Sequence, residues 1–332
     1  MEPFEVPDFP VRAIGNTATF RGFFQHPGAE KEQRNVLDAD GLLLNTFRGV
    51  EGIFVDAYAA ALGKRTWAIG PTCASGILVK DADAMASRYN RTDVDVSHVV
   101  SWLDARPLAS VLYISFGSIA QLPAKQLAEL ARGIEASGRT FVWAIKRAKT
   151  DLAVKALRDD EGFESRVEGR GLLNATLEAI YHGVPALTWP CFADQFCSER
   201  LLVDVLRIGV RSGVKVPAKN VPGVQVPSGD VEEAIAQLMD GGAEGTARRS
   251  RAKEVAAEAR AAMGEGGSSN SDLVDMIRYV SELSRKGSHE RGGSSMTLPF
   301  ASTELRSNDD EKIEVALIRS TNATSDKAQA HI

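Results

Sequence analysis

The sequence predicts a doubly wound α/β fold, in which helices cover both faces of largely parallel sheets. Segments with strand character alternate with segments of helical periodicity along most of the chain. The clearest strand, at residues 111–115, is almost entirely apolar, as expected of a parallel strand buried on both faces. Neither GxGxxG nor GxxxxGK[ST] occurs anywhere, so the sequence does not indicate a nicotinamide dehydrogenase or a P-loop enzyme.

The N-terminal part contains one predicted strand–helix–strand unit. A strand at 42–45 precedes a helical stretch at 50–62, and a second strand follows at 66–69. We place the end of this domain at residue 75. Residues 76–98 are polar and aperiodic, so we expect an interdomain linker there.

A second βαβ unit begins with the strand at 111–115. The turn Phe116-Gly117-Ser118 follows, and Pro123 opens a helix whose apolar residues share one face, before Gly138 ends it. The next strand is predicted at 140–145. The unit has about the 30 residues expected of a βαβ crossover.

The remaining elements are predicted from periodicity and capping residues. They are a short strand at 171–173, a helix at 174–182, a strand at 184–189 and helices at 199–206, 228–239, 244–262 and 273–283. From residue 287 the composition becomes polar and glycine-rich, so we expect a disordered tail over 287–332. Only residues 314–319 have strand character there, with no evident pairing partner.

Composition excludes several classes of protein. The chain has 332 residues, a net charge of −5 and a pI of about 5.7, which gives no indication of a nucleic-acid partner. No apolar run approaches a membrane span. The start is acidic and proline-rich, unlike a targeting peptide. Cys73, Cys191 and Cys197 form no zinc or CxxC spacing, which favours a reducing compartment. We therefore expect a cytoplasmic protein.

Three turns are candidates for ligand binding, because open α/β sheets bind ligands at the carboxyl ends of their strands. In the first, Gly117 allows close backbone approach and Ser118 offers a hydroxyl to a phosphate. It can equally be a simple turn. In the second, the helix starting at Asn174 attracts an anion, and Glu178, one turn later, suits the hydroxyls of a ribose. The alternative is a helix cap and a solvated surface charge.

The third candidate is the loop at residues 192–195. Asp194 can only accept hydrogen bonds, whereas Gln195 can both donate and accept, a combination that suits the adjacent hydroxyls of a hexose. An Asp-Gln pair alone is common, so this loop carries little weight by itself.

Taken together, the candidates resemble a known family. The string NATLEAIYHGVPALTWPCFADQ closely resembles the second half of the signature box of plant family-1 UDP-glycosyltransferases. The segments LLLNTFRGVE, SWLDARPLASVLYISFGS and RRSRAKEVAAEARAAMGEGGSS look like that family too, and the resemblance covers residues 1–285. It implies a GT-B fold with two Rossmann-like lobes. Residues 1–75 would be part of the N-terminal acceptor lobe, and residues 99–286 the C-terminal UDP-sugar lobe, lacking some elements.

The resemblance also implies roles for individual residues. Asn174 would lie beside the diphosphate and Glu178 would hold the ribose. Asp194 and Gln195 would hold the transferred sugar, and Ser118 would contact phosphate. The final Gln of the box resembles members that use UDP-glucose. The implied reaction is an inverting transfer of glucose to a hydroxyl of a small flavonoid-like or phenolic metabolite, without a metal or other cofactor.

The chain departs from the family pattern in three ways. Ala175 replaces the usual Ser of the box. Between Leu173 and Asn174 the family has roughly two dozen more residues, the size of a βα crossover, so we expect an internal deletion there. The family's catalytic His would lie in a part of the N-terminal lobe that this sequence does not contain. None of the five histidines has its context.

The sequence therefore predicts a truncated UDP-glycosyltransferase with no catalytic residue, inactive as it stands. The alternative is a non-catalytic remnant that binds a nucleotide sugar or pairs with another protein.

Overall fold

The computed structural model describes residues 3–5, 11–12, 14–16, 29–72, 96–116, 122–144, 162–173, 183–191, 195–217, 223–290 and 317–318. The chain forms two compact units. Unit 1 comprises residues 1–27, 75–258 and 307–311, and unit 2 comprises residues 28–74, 259–306 and 312–332.

Strands and helices alternate through the middle of the described chain, from residue 29 to residue 173. They are β1 (Pro3–Glu5), β2 (Ile14–Asn16), α1 (Ala29–Asp38), β3 (Gly41–Leu44), α2 (Arg48–Leu62), β4 (Arg65–Ala68), α3 (Val96–Asp104), β5 (Val111–Ser115), α4 (Ala124–Ala136), β6 (Thr140–Ala144), α5 (Phe163–Arg166), β7 (Gly171–Leu173), β8 (Ala186–Thr188), α6 (Gln195–Arg200), a π-helical turn (Leu201–Val205), β9 (Gly209–Arg211), α7 (Ser228–Leu238), α8 (Ala243–Met263), α9 (Ser268–Glu290) and β10 (Leu317–Ile318).

Unit 1 contains two parallel sheets on one apolar core. One sheet has the order β5-β6-β7, and the other pairs β8 with β9. The predicted three-residue strand at 171–173 is present as β7. Buried side chains from both sheets and from α4 and α7 belong to one cluster, which includes Leu112, Ile134, Phe141, Val210 and Val231.

Helix α4 forms as the sequence predicts. Pro123 occupies its N-cap and Gly138, at φ 63°, follows its end. Its predicted apolar face is buried against α7. The two helices approach closely at Gly133, where an added Cβ would lie 2.5 Å from the Cβ of Val231.

Helices α3 and α6 of unit 1 differ from the prediction. Helix α3 begins at Val96, inside the predicted linker of residues 76–98, because Val99 packs on Val142 and anchors the helix to β6. The helix predicted at 199–206 begins at Gln195, and its last turn is π-helical, with the Leu206 amide donating to the Leu201 carbonyl.

Unit 2 is built on β3 and β4, which pair in parallel, with Leu42 opposite Thr66. The C-terminal helix α9 packs on β4, and Met276 joins Leu43 and Trp67 in a buried cluster. The sequence places residues up to 286 in the C-terminal lobe, whereas the structure places α9 in unit 2. The reason is that α9 supplies both apolar and hydrogen-bonding partners to β4.

The predicted disordered tail, residues 287–332, is wrong in two places. Helix α9 extends to Glu290, and Leu317–Ile318 form a strand that pairs antiparallel with β3, Leu317 lying opposite Leu42. The edge of a buried strand offers N–H and C=O groups that a second strand can satisfy. No local pattern in the sequence indicates which strand would do so.

Candidate active site

Most of the predicted site residues lie outside the described residues. These are Ser118, Asn174, Ala175, Glu178 and Asp194, together with the predicted helix at 174–182. Gln195 is described, as the first residue of α6. The structure does describe the three strands that lead into the predicted turns, β5, β7 and β8.

The carboxyl ends of β5 and β8 meet through two aromatic rings. Phe116 follows β5 and Trp189 follows β8, and their ring centroids lie 5.9 Å apart at 90°. This edge-to-face geometry is a favourable arrangement for aromatic pairs. Both rings also pack on the core of unit 1. Two residues that lead into the first and third predicted turns, Phe116 and Trp189, thus lie side by side, although β5 and β8 belong to different sheets.

The strands predicted at 140–145 and 184–189 each contain a tryptophan, and the two side chains differ in burial. Trp143 lies in β6 and is buried, as predicted. Trp189 is only partly buried and lies one residue beyond β8, where it contacts Phe116. Trp189 is therefore part of the rim of the strand ends rather than of a strand.

Gln195 is held in a defined orientation. Its Oε1 accepts a hydrogen bond from the backbone N–H of Cys191, at 2.7 Å. Because the Cys191 amide can only donate, the oxygen must face it, and the Nε2 group of Gln195 faces another direction. The two N–H donors of the side chain are not used in this contact.

Cys191 is a buried free thiol next to this loop. Burial raises its pKa to about 11, so the side chain is a neutral thiol at physiological pH. The thiolate is the nucleophilic form of cysteine. Cys191 therefore serves the site through its backbone amide and its packing.

A second group of polar side chains lies one turn further along α6. The carboxyl of Glu199 is 2.6 Å from the hydroxyl of Thr188 at the end of β8, and 3.4 Å from the guanidinium of Arg211 in β9. Arg211 also donates to Asp204 at 2.6 Å. Burial raises the pKa of Glu199, against the opposing effects of Thr188, Arg211 and Arg200.

Glu199 is not among the site residues predicted from the sequence. The signal was present in part, because Glu199 is four residues after Gln195 and so shares its side of the helix. Nothing local indicates that Thr188 and Arg211, from two different strands, would meet it. Among the residues that the structure describes, no cluster of His, Cys, Asp and Glu could hold a metal ion. In the same part of the chain, no helix is long and apolar enough to cross a bilayer.

The parallel strands and the helices between them define a Rossmann-like α/β fold, and comparisons with known proteins give the family. UDP-glycosyltransferase 73C4 of Solanum lycopersicum is 35% identical over 301 residues, which cover 82% of this chain and 86% of that protein. The chain belongs to the UDP-glycosyltransferase family. No protein-family model matches it.

Solved structures show the same fold. The crystal structure of Glycyrrhiza uralensis UGT73P12 complexed with glycyrrhetinic acid 3-O-monoglucuronide matches with a TM-score of 0.72 and 29% identity, over 87% of this chain and 64% of that one. TcCGT1 in complex with UDP matches with a TM-score of 0.60 and 25% identity, over 76% of this chain and 58% of that one. The GT-B fold predicted by resemblance is confirmed.

The chain is shorter than most of these proteins. It spans 64% of the length of several other curated UDP-glycosyltransferases.

Proposed function

We propose that the chain binds a UDP-sugar at the carboxyl ends of β5 and β8, and that the whole protein transfers glucose from UDP-glucose to a hydroxyl of a small plant metabolite. The observation that carries the proposal is the Phe116–Trp189 contact, because these two residues lead into the first and third predicted turns. Family membership supplies the chemistry. The acceptor class we propose is flavonoid-like or phenolic.

The proposed donor contacts follow the motif positions. We propose that Ser118 and Asn174 contact the diphosphate, with Ala175 beside them, and that Glu178 holds the ribose. Asp194 and Gln195 would bind the glucose. The orientation of Gln195 supports its role, because its Nε2 group faces away from Cys191 and can donate to a sugar hydroxyl.

The donor UDP-glucose is a substrate, and the proposed transfer uses no metal or organic cofactor. We propose a cytoplasmic protein with no nucleic-acid partner, in line with the net charge of −5.

Donor binding is tested by titration calorimetry of the chain with UDP-glucose and with UDP. A ligand that binds only the folded state also raises the melting temperature, which provides an independent readout. We expect both ligands to bind. Gln195→Ala removes hydrogen bonds to the sugar alone. It should therefore raise the dissociation constant of UDP-glucose roughly fivefold and leave that of UDP unchanged.

The matched control is Glu232→Ala, on the exposed side of α7. It should bind both ligands like the wild-type chain. Absence of binding of either ligand to the folded wild-type chain would show that the proposed function is wrong.

A further inference from the structure

Two side-chain bridges tie the start of α6 to the end of β8. In the first, Gln195 accepts from the backbone N–H of Cys191 at 2.7 Å. In the second, Glu199 contacts the hydroxyl of Thr188 at 2.6 Å. Both bridging residues come from α6, one helical turn apart, and both of their partners come from the chain at or just beyond β8.

Two bridges constrain the helix more than one does. A single hydrogen bond leaves a short helix free to pivot about the bonded atoms, whereas two bonds spaced by a turn fix its direction as well as its position. Residues 189–194, which include Asp194, connect these two anchored elements. The second bridge thus restricts where both ends of the proposed sugar-binding loop can lie.

The second bridge is buried, and Thr188 is its donor. The Thr188 hydroxyl donates to the carboxyl of Glu199 at 2.6 Å and also lies 3.2 Å from the carbonyl of Val210. Because the two acceptors share a single hydroxyl proton, the shorter contact with Glu199 is the stronger of the two. The bridge therefore joins α6 to β8 inside the protein.

Charged groups around Glu199 come from the neighbouring elements. Arg211 of β9 lies 3.4 Å from its carboxyl and is itself paired with Asp204 of the π-helical turn at 2.6 Å. Arg200 of α6 contacts Asp204 at 3.9 Å. Asp204 therefore contacts both arginines, and one of them, Arg211, also contacts Glu199. Burial is the main cause of the raised pKa of Glu199, and the contacts with Thr188 and Arg211 oppose it.

We propose that Glu199 is a positioning residue for the donor sugar: through Thr188 it fixes the start of α6 against the end of β8, and so holds Gln195 in place for the hexose. The inference rests on the proposed function and extends it to a residue that does not touch the donor. It assigns Glu199 to the sugar half of UDP-glucose and not to the UDP half.

The test is the ratio of two dissociation constants, for UDP-glucose and for UDP, measured by titration calorimetry on the full chain. Glu199→Ala removes the second bridge. We expect UDP-glucose to bind roughly five- to tenfold more weakly relative to UDP, the effect of losing about one hydrogen bond. A residue needed only for folding would weaken both ligands equally and leave the ratio unchanged.

Two further variants define the cause. Glu199→Gln keeps an oxygen that can accept from the Thr188 hydroxyl and should restore the wild-type ratio. Thr188→Val breaks the bridge at nearly constant volume, and should reproduce the ratio of Glu199→Ala even if that variant does not fold. Glu232→Ala is the control for the loss of an acidic side chain.

The outcomes separate the inference from the proposed function. If Gln195→Ala weakens UDP-glucose selectively while Thr188→Val and any folded Glu199→Ala keep the wild-type ratio, the positioning role is wrong and the proposed function stands. If the folded wild-type chain binds neither ligand, both fail.

Discussion

The two units of the molecule are stabilised in different ways. Unit 1 has one large apolar core shared by two sheets and two helices, with aromatic side chains such as Phe141 and Trp143 at its centre. Unit 2 has small apolar clusters, and its last helix binds β4 through polar groups. The indole of Trp67 donates to Asp275, and the amide of Ala68 donates to Asp272, both at 2.9 Å.

The difference indicates which changes each unit tolerates. A core of close-packed side chains loses most when volume is removed, since both transfer free energy and cavity terms are lost. A helix held by carboxylates loses most when an acceptor is removed and a backbone donor is left without its partner. The stability of unit 1 should therefore be sensitive to shortening of its buried side chains. The stability of unit 2 should be sensitive to the loss of single acidic side chains of α9.

The largest effect is expected for Phe141→Ala in β6. Phe141 is 0% exposed and its ring lies against Gly171 of β7, where an added Cβ would come within 2.6 Å. We expect a loss of about 3–5 kcal/mol in the free energy of unfolding of unit 1, measured by urea denaturation. Leu108→Ala is the control, because Leu108 is 99% exposed, and it should change stability by less than about 0.5 kcal/mol.

A smaller, local effect is expected for Asp272→Ala in α9. The Ala68 amide loses its acceptor, and Arg48 loses a carboxylate at 3.7 Å. We expect a loss of about 1–3 kcal/mol, confined to unit 2. Hydrogen exchange provides the measurement: the Ala68 amide should exchange faster, while peptides covering β5 and β6 should not change.

The control for Asp272 is Glu282→Ala, which removes an exposed acid from the same helix. It should leave the exchange of β4 unchanged. Equal acceleration of exchange in both units would contradict the separate stabilisation of unit 2.

The smallest effect is a pH dependence of the Asp275 contact. The hydrogen bond from Trp67 is the largest cause that lowers the pKa of Asp275, followed by Arg278. A lowered pKa in the folded state means that the stabilisation is fully present above the usual value of 3.8 and is lost as the pH falls through the folded value. The wild-type chain should therefore lose stability below about pH 4 more steeply than Asp275→Asn. Urea midpoints from pH 3 to 7 test this, and parallel curves for the two proteins would exclude it.

Local patterns predict the centre of unit 1 well. The strand β5, the helix α4 and the strand β6 occupy the predicted positions within a residue or two, because apolar periodicity, Pro123 and Gly138 act over a few residues. Gln195, predicted to be the last residue of the third site turn, is instead the first residue of α6. The other predicted site residues lie outside the described residues and stay predictions.

Contacts between distant parts of the chain were not predictable in the same way. Asp272 and Asp275 meet residues more than 200 positions earlier. The partner of β10 could not be identified from the sequence, and neither could the meeting of Glu199 with Thr188 and Arg211. In each case one residue type fits many possible partners, and only the folded arrangement selects one.

The sequence by itself determined the alternation of strands and helices, the family and the residues proposed to bind the donor, because these depend on local periodicity and on contiguous motifs. Tertiary structure alone decided that α9 belongs with β3 and β4, that Phe116 meets Trp189, and that a buried carboxyl anchors the helix bearing Gln195. The physical reason is that burial and hydrogen bonding between remote segments depend on their distance in space, which neighbours in sequence do not specify.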